Sequence, residues 1–268
     1  MKIEFYKMSG AGNDFVLLGG GNYTGAELKR LAVKLCDRKN AVGADGLLYV
    51  RKLPGRAVSL RYFNSDGSEA FCGNGSRCSA WWAYSSGLVK SRKFALSTIR
   101  GVLPAEIIAR EKVRMRMPDV PAVALGHAGK YPPPVKKLHF LNTGVPHAVV
   151  PLKNIGAVDV DGLGRALRYN KAFGPAGTNV DFVALKGRVV HMRTYERGVE
   201  AETLACGTGA TASAIAIGME KGLKCPVAVI SRSGEKFRVW FKPGPQTSAT
   251  GVYIEGPAKI VFEGATAV

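Results

Sequence analysis

The chain has 268 residues, 46% of them hydrophobic and 22% charged. That is enough apolar matter for a large core, in one domain or two, and it excludes a disordered chain. The formal charge is +18, yet lysine and arginine are spread over the whole length with mild clusters only at 110–116 and 232–242, which favours a solvated basic surface over a nucleic-acid site. The longest nearly apolar stretch, Ala210 to Met219, is too short to span a bilayer, and Met1 to Gly10 alternates charged and apolar residues instead of forming a signal-peptide core. A cytoplasmic protein is expected, with no membrane partner. Five cysteines, at 36, 72, 78, 206 and 225, show neither paired CxxC spacing nor nearby histidine pairs, so thiols are expected and no metal site.

Along the chain, short β-branched or aromatic runs predict strands over 2–7, 15–18, 46–50, 58–63 and 113–117. A helix is predicted over 26–36 from the spacing of Leu28, Leu31, Ala32 and Leu35, and another over 75–84. The second half gives strands over 180–185, 189–195, 227–231, 237–241 and 252–262, and a helix over 209–221. The helical runs over 75–84 and 209–221 are apolar on nearly every side, as buried central helices wrapped by strands would be. The fold class is α+β.

Comparison of the chain with itself shows a repeat. Cys72-Gly73-Asn74-Gly75 through Ala80 matches Cys206-Gly207-Thr208-Gly209 through Ala214 at the cysteine, both glycines, a serine and an alanine, at an offset of 134, half the chain. Within two residues of that offset, Arg61-Tyr62-Phe63 lies against Arg193-Thr194-Tyr195, 44–48 against 178–182, and 12–17 against 145–150. Two similarly folded halves follow, with a boundary near Met117-Pro118-Asp119-Val120-Pro121.

A cysteine that opens a Gly-x-Gly helix start sits among unsatisfied backbone N–H groups at the positive end of the helix. Such a thiol is expected to have a lowered pKa, and the same N–H groups can hold a carboxylate. Two of them in pseudo-symmetric halves, facing one cleft, suit inversion of an amino-acid Cα. One thiolate removes a proton from one face, one thiol delivers a proton to the other, and the helix ends stabilise the carbanion through the carboxylate. This chemistry needs no cofactor. No lysine and phosphate cradle for pyridoxal phosphate is evident, and the Gly-x-Gly motifs lack the third glycine of a dinucleotide fingerprint.

The chain resembles the diaminopimelate epimerase family of the lysine and peptidoglycan pathway over essentially its whole length. The matching stretches are 7–15 (KMSGAGNDF), 63–69 (FNSDGSE), 72–78 (CGNGSRC), 195–198 (YERG) and 202–210 (ETLACGTGA). The resemblance implies that Cys72 and Cys206 are the acid–base pair and that His147 and Glu196 tune them. It implies that Gly73, Asn74, Gly207 and Thr208 bind the reacting carboxylate, and that Asn13, Asn64, Asn179, Glu196 and Arg197 hold the rest of the substrate. It further implies two β-barrel-like halves, 1–117 and 118–257, each around a central helix, with a C-terminal strand over about 258–268 returning to the first half, and a homodimer. Gly46 and Val145 depart from the residues many members carry, Gln and Asn, so a racemase for another amino acid such as histidine is the alternative. An inactive nucleic-acid-binding protein is a more remote one.

Overall fold

A computed structural model describes residues 2–55 and 57–267; Met1 and Val268, at the ends of the ranges expected for the first half and the returning strand, lie outside them, as does Arg56. Contacts divide the chain into two units, Met1–Met115 with Gly256–Val268, and Arg116–Glu255.

In the first unit the strands are β1 (Lys2–Gly10), β2 (Asn13–Gly19), β3 (Gly46–Leu53), β4 (Ala57–Asn64), the short β5 (Glu69–Ala70), β6 (Lys93–Thr98), β7 (Gly101–Ala109) and β8 (Lys112–Arg116). Helix α1 (Gly25–Cys36) lies between β2 and β3, and α2 (Gly73–Ser85) between β5 and β6. The sheet runs β1, β2, β3, β4, β6, β7, β8, with parallel pairing at β2/β3 and β4/β6 and antiparallel pairing elsewhere. Side-chain alternation explains why β3 is buried on both faces from Gly46 to Val50. Leu48 and Val50 point to a core built with Cys78, Ala80, Trp82 and Ala83 of α2, whereas Leu47 and Tyr49 point to the opposite face and pack on Leu28, Leu31, Ala32 and Leu35 of α1. Helix α1 starts in a capping box, the Thr24 hydroxyl accepting from the Glu27 N–H and the Glu27 carboxylate accepting from the Thr24 N–H.

The second unit repeats this order. Its strands are β9 (Val123–Ala124), β10 (His139–Asn142), β11 (Pro146–Pro151), β12 (Asn179–Lys186), β13 (Val189–Glu196), β14 (Ala201–Thr203), β15 (Val227–Ile230), β16 (Lys236–Pro243) and β17 (Ala249–Pro257). Helix α3 (Val160–Arg168) precedes β12, and α4 (Gly207–Lys221) follows β14. Parallel pairing recurs at β11/β12 and β13/β15, flanked by antiparallel neighbours. Helix α4 is buried from Gly207 to Gly218 apart from Thr208. Finally β18 (Lys259–Ala267) pairs antiparallel along β1 from Lys2↔Ala267 to Ser9↔Lys259.

The registers align the halves residue by residue. Gly46 stands opposite Phe15 on β2, and Asn179 opposite His147 on β11. Gly46 therefore corresponds to Asn179, Phe15 to His147 and Leu48 to Asp181, which shifts the sequence-based pairings of 44–48 and 12–17 by one residue. The forked ion pair of Arg61 with Glu69 on β4 and β5, both contacts at 2.8 Å, has its counterpart in Arg193 with Glu202 on β13 and β14, both at 2.7 Å.

Three sequence expectations change. Both central helices begin two residues early, at Gly73 and Gly207, because each cysteine is the N-cap. The run over 252–262 is two strands interrupted at Ala258, and α3 is a helix that the pattern of apolar residues does not predict.

Candidate active site

Cys72 caps α2 with an extended backbone, and its Sγ accepts from the Gly75 N–H at 3.4 Å. A Cβ on Gly75 would come within 2.7 Å of Leu48 Cδ2, so this first turn rests on an apolar floor. The thiol donates to Asn13 Oδ1 at 3.6 Å, and the Asn74 amide donates to the same oxygen at 3.3 Å. Asn13 in turn donates to the Asp45 carboxylate. Beneath the turn, fully buried Arg77 donates to Asn74 Oδ1 at 2.6 Å and interacts electrostatically with Cys72 and Cys78. Nothing lies within 4 Å of a Cβ placed on Gly73, which leaves its backbone open to a ligand. Asn64 ends β4, accepting from Tyr62 Oη at 2.8 Å and donating to Ser68 Oγ at 2.9 Å. The Tyr62 ring fills the space a side chain at Gly46 would need, 2.4 Å from a Cβ there.

Cys206 caps α4 in the same way, its Sγ accepting from the Gly209 N–H at 3.4 Å. Here the floor is polar. A Cβ on Gly209 would lie 2.4 Å from Asp181 Oδ1. Cys206 Sγ is 3.2 Å from Thr208 Oγ1, which is 2.9 Å from His147 Nε2, while His147 Nδ1 is 2.7 Å from Asp181 Oδ2. The second Asp181 oxygen accepts from the Thr194 hydroxyl at 2.7 Å. Both His147 and Asp181 are fully buried.

Glu196, at the end of β13, accepts from Thr203 Oγ1 at 2.8 Å. Asn179 donates to the Pro146 carbonyl and accepts from the Arg197 N–H, each at 2.9 Å, which fixes the chain where it leaves β13. The Arg197 side chain is half-buried and makes no ion pair among the described residues.

One electrostatic expectation is reversed for Cys206. Burial pushes its thiol well above the usual range, the charges of Glu196 and Asp181 push the same way, and the bonds from Thr208 and the Gly209 N–H oppose them without prevailing. Helix-end stabilisation is the smaller effect at a site this dry.

The structure thus gathers Cys72, Gly73, Asn74 and Asn13 at the start of α2, with Asn64 held separately by Tyr62 and Ser68. It gathers Cys206, Gly207, Thr208 and His147 at the start of α4, with Asn179, Glu196 and Arg197 around the end of β13. Asp181, Thr194, Asp45 and Tyr62 belong to these networks without having been expected from the sequence. For Asp181 a signal existed, a lone carboxylate inside the otherwise apolar strand VDFVAL. Among the described residues no group of three or more His, Cys, Asp or Glu side chains is placed to hold a metal ion, and no helix is long and apolar enough to cross a membrane.

Known proteins resemble this chain at two levels, fold and sequence. In fold, a phenazine biosynthesis protein of the PhzF family from Bacillus anthracis matches over the full length of both chains with a TM-score of 0.79 at 18% identity. A probable proline racemase from Agrobacterium radiobacter matches 99% of this chain and 92% of its own with a TM-score of 0.70 at 19% identity. In sequence, a diaminopimelate epimerase from Aquifex aeolicus is 41% identical over 98% of this chain and 97% of its own, and one from Methanocella arvoryzae is 37% identical over 98% and 96%. The diaminopimelate epimerase family profile matches residues 5–123 and 139–261, spans that hold both cysteine caps and every residue of the two networks. With near-complete coverage at this identity, the chain belongs to the diaminopimelate epimerase family.

Proposed function

We propose that the protein interconverts LL- and meso-2,6-diaminopimelate by a two-base reaction in which Cys72 and Cys206 act on opposite faces of one Cα. The observation that carries this reading is the duplicated cap: each Sγ sits 3.4 Å from the third backbone N–H of its own helix, within two matching folds. One thiolate takes the Cα proton. The carbanion's charge passes into the adjacent carboxylate, held by the N–H groups of Gly73-Asn74 and Gly207-Thr208, and the other thiol reprotonates the carbon. The thiols supply both proton transfers, so the reading assigns no cofactor. Glu196 and Arg197 suit the distal ammonium and carboxylate, Arg197 because its guanidinium has no ion pair among the described residues. A reducing, cytoplasmic setting belongs to this reading, since both thiols must stay reduced. So does a homodimer, supported by the exposed Val261 and Phe262 on β18.

Tyr62 over Gly46 gives the second reading, a racemase of another amino acid, its own support, because that ring alters the surroundings of Asn64. A panel of free amino acids separates the two. Diaminopimelate should be turned over faster than histidine or any monocarboxylic amino acid, and Arg197→Ala should abolish that preference. Equal or faster turnover of histidine would replace the leading reading with the second.

A further inference from the structure

Asp181 is a buried carboxylate in the one half of the molecule where the corresponding positions of the other half are apolar. Leu48 corresponds to Asp181 and Phe15 to His147, and each Gly-x-Gly turn packs directly on the residue in the first of these places. The polar set is also fully oriented. With its Nδ1–H given to Asp181 Oδ2, a neutral His147 offers the Nε2 lone pair to the Thr208 hydroxyl, and Thr208 Oγ1 is then left to accept from the Cys206 thiol.

We propose that Asp181 is a positioning residue for a proton relay from Cys206 through Thr208 to His147. In the relay the S–H bond of Cys206 breaks as a new O–H bond forms on Thr208, and the former Thr208 O–H proton moves to His147 Nε2. The products are a thiolate at Cys206 and an imidazolium whose countercharge is Asp181. No atom or electron is gained or lost. Reversal reloads the thiol without opening the site to water. The inference rests on the epimerase reading for its purpose.

The ionisable groups facing Cys206 from the strands packed on α4 are Asp181 of β12, Glu196 of β13 and His147 of β11. His139 of β10 bonds Glu220 at the far end of α4, β15 has no titratable side chain, and Lys236, Arg238 and Lys242 of β16 are exposed. This inventory gives two carboxylates with opposite predicted effects. If Asp181 acted only as a nearby charge, removing it would ease ionisation of Cys206, as removing Glu196 should. As the countercharge of a relay, its removal should hinder ionisation.

The test is a pH titration of the ultraviolet thiolate absorbance of full-length protein carrying Cys72→Ser, with Cys206→Ser in the same background subtracted. Asp181→Asn should raise the Cys206 midpoint by about one pH unit, a tenfold loss of thiolate at fixed pH, whereas Glu196→Gln should lower it. In a Thr208→Val background Asp181→Asn should no longer raise the midpoint, and Thr208→Ser, which keeps the hydroxyl, should restore the effect. A midpoint that falls or stays unchanged in Asp181→Asn overturns the relay. Should that variant not fold, equal midpoints for Thr208→Val and Thr208→Ser overturn it instead. The titration needs no substrate, so even a protein that proved to act on another amino acid would show whether the relay operates.

Discussion

Cys72 and Cys206 share a helix position and a capping hydrogen bond but not their surroundings. The first has Asn13 at the thiol, held by Asn74, and a buried guanidinium, Arg77, within its field; the second has a hydroxyl, an imidazole and two carboxylates. The remaining buried cysteines are ordinary core thiols. Burial pushes Cys36 and Cys78 up to about 12, so neither is a nucleophile near neutrality. Another set of charges works on stability. Burial opposes ionisation of Asp14, but bonds from Arg38 and Lys7 outweigh it and hold the carboxyl at about 2, below its usual 3.8. A depressed carboxylate contributes stability that is present above the unfolded-state value and lost as pH falls through the folded one. Melting temperature should therefore drop between about pH 4 and pH 2, and Asp14→Asn should both lower it at neutrality and flatten that acid limb. An acid limb unchanged in the variant would show that Asp14 is not the group responsible.

At the scale of elements, the first and second glycines of a Gly-x-Gly turn serve different ends. Gly209 is needed because its turn lies on Asp181, so Gly209→Ala should destabilise the protein by about 1–3 kcal/mol in chemical denaturation. Gly73 meets nothing, so Gly73→Ala should leave stability unchanged or raise it by up to about 1 kcal/mol while lowering activity. Equal losses in both variants would contradict this division. The caps also show what is legible in the sequence. Helices α2 and α4 are visible there because a cysteine, two glycines and an apolar run recur at half the chain length. Helix α3 is not, because it carries Gly162 and Gly164, the latter bringing the helix backbone against Tyr195 at the expense of helix propensity. Strand β7 escapes the pattern because Pro104 and Glu106 interrupt its apolar residues. The β17/β18 junction lies at Ala258, directly after Gly256-Pro257, a turn signal that reading 252–262 as one strand passes over. In the site, residues inside a motif can be found and most of their supports cannot; Asp181 shows as a lone carboxylate in an apolar strand, but its partners do not. Asp181 and Thr194 are joined only by the pairing of β12 with β13.

For the molecule as a whole, duplication extends beyond the motifs to the order of parallel and antiparallel pairs and to the matched forks of Arg61 with Glu69 and Arg193 with Glu202. Each half encloses one central helix, and the first half is completed by the last strand of the chain. Ending the chain after Ala258 removes the strand paired along nearly all of β1, leaving that edge and Phe5, which packs on Phe262, exposed. The shortened protein should be lost to aggregation or melt at a markedly lower temperature, and an unaltered melting temperature would refute that role for β18. The central claim is that both thiols serve one carbon. It is tested most directly by epimerising LL-diaminopimelate in heavy water with the parent protein and with Cys72→Ala and Cys206→Ala separately. The parent should place deuterium at the inverted Cα of the meso product, and each variant should lose turnover by about 10³-fold or more. Near-parental turnover in either single variant would contradict the claim.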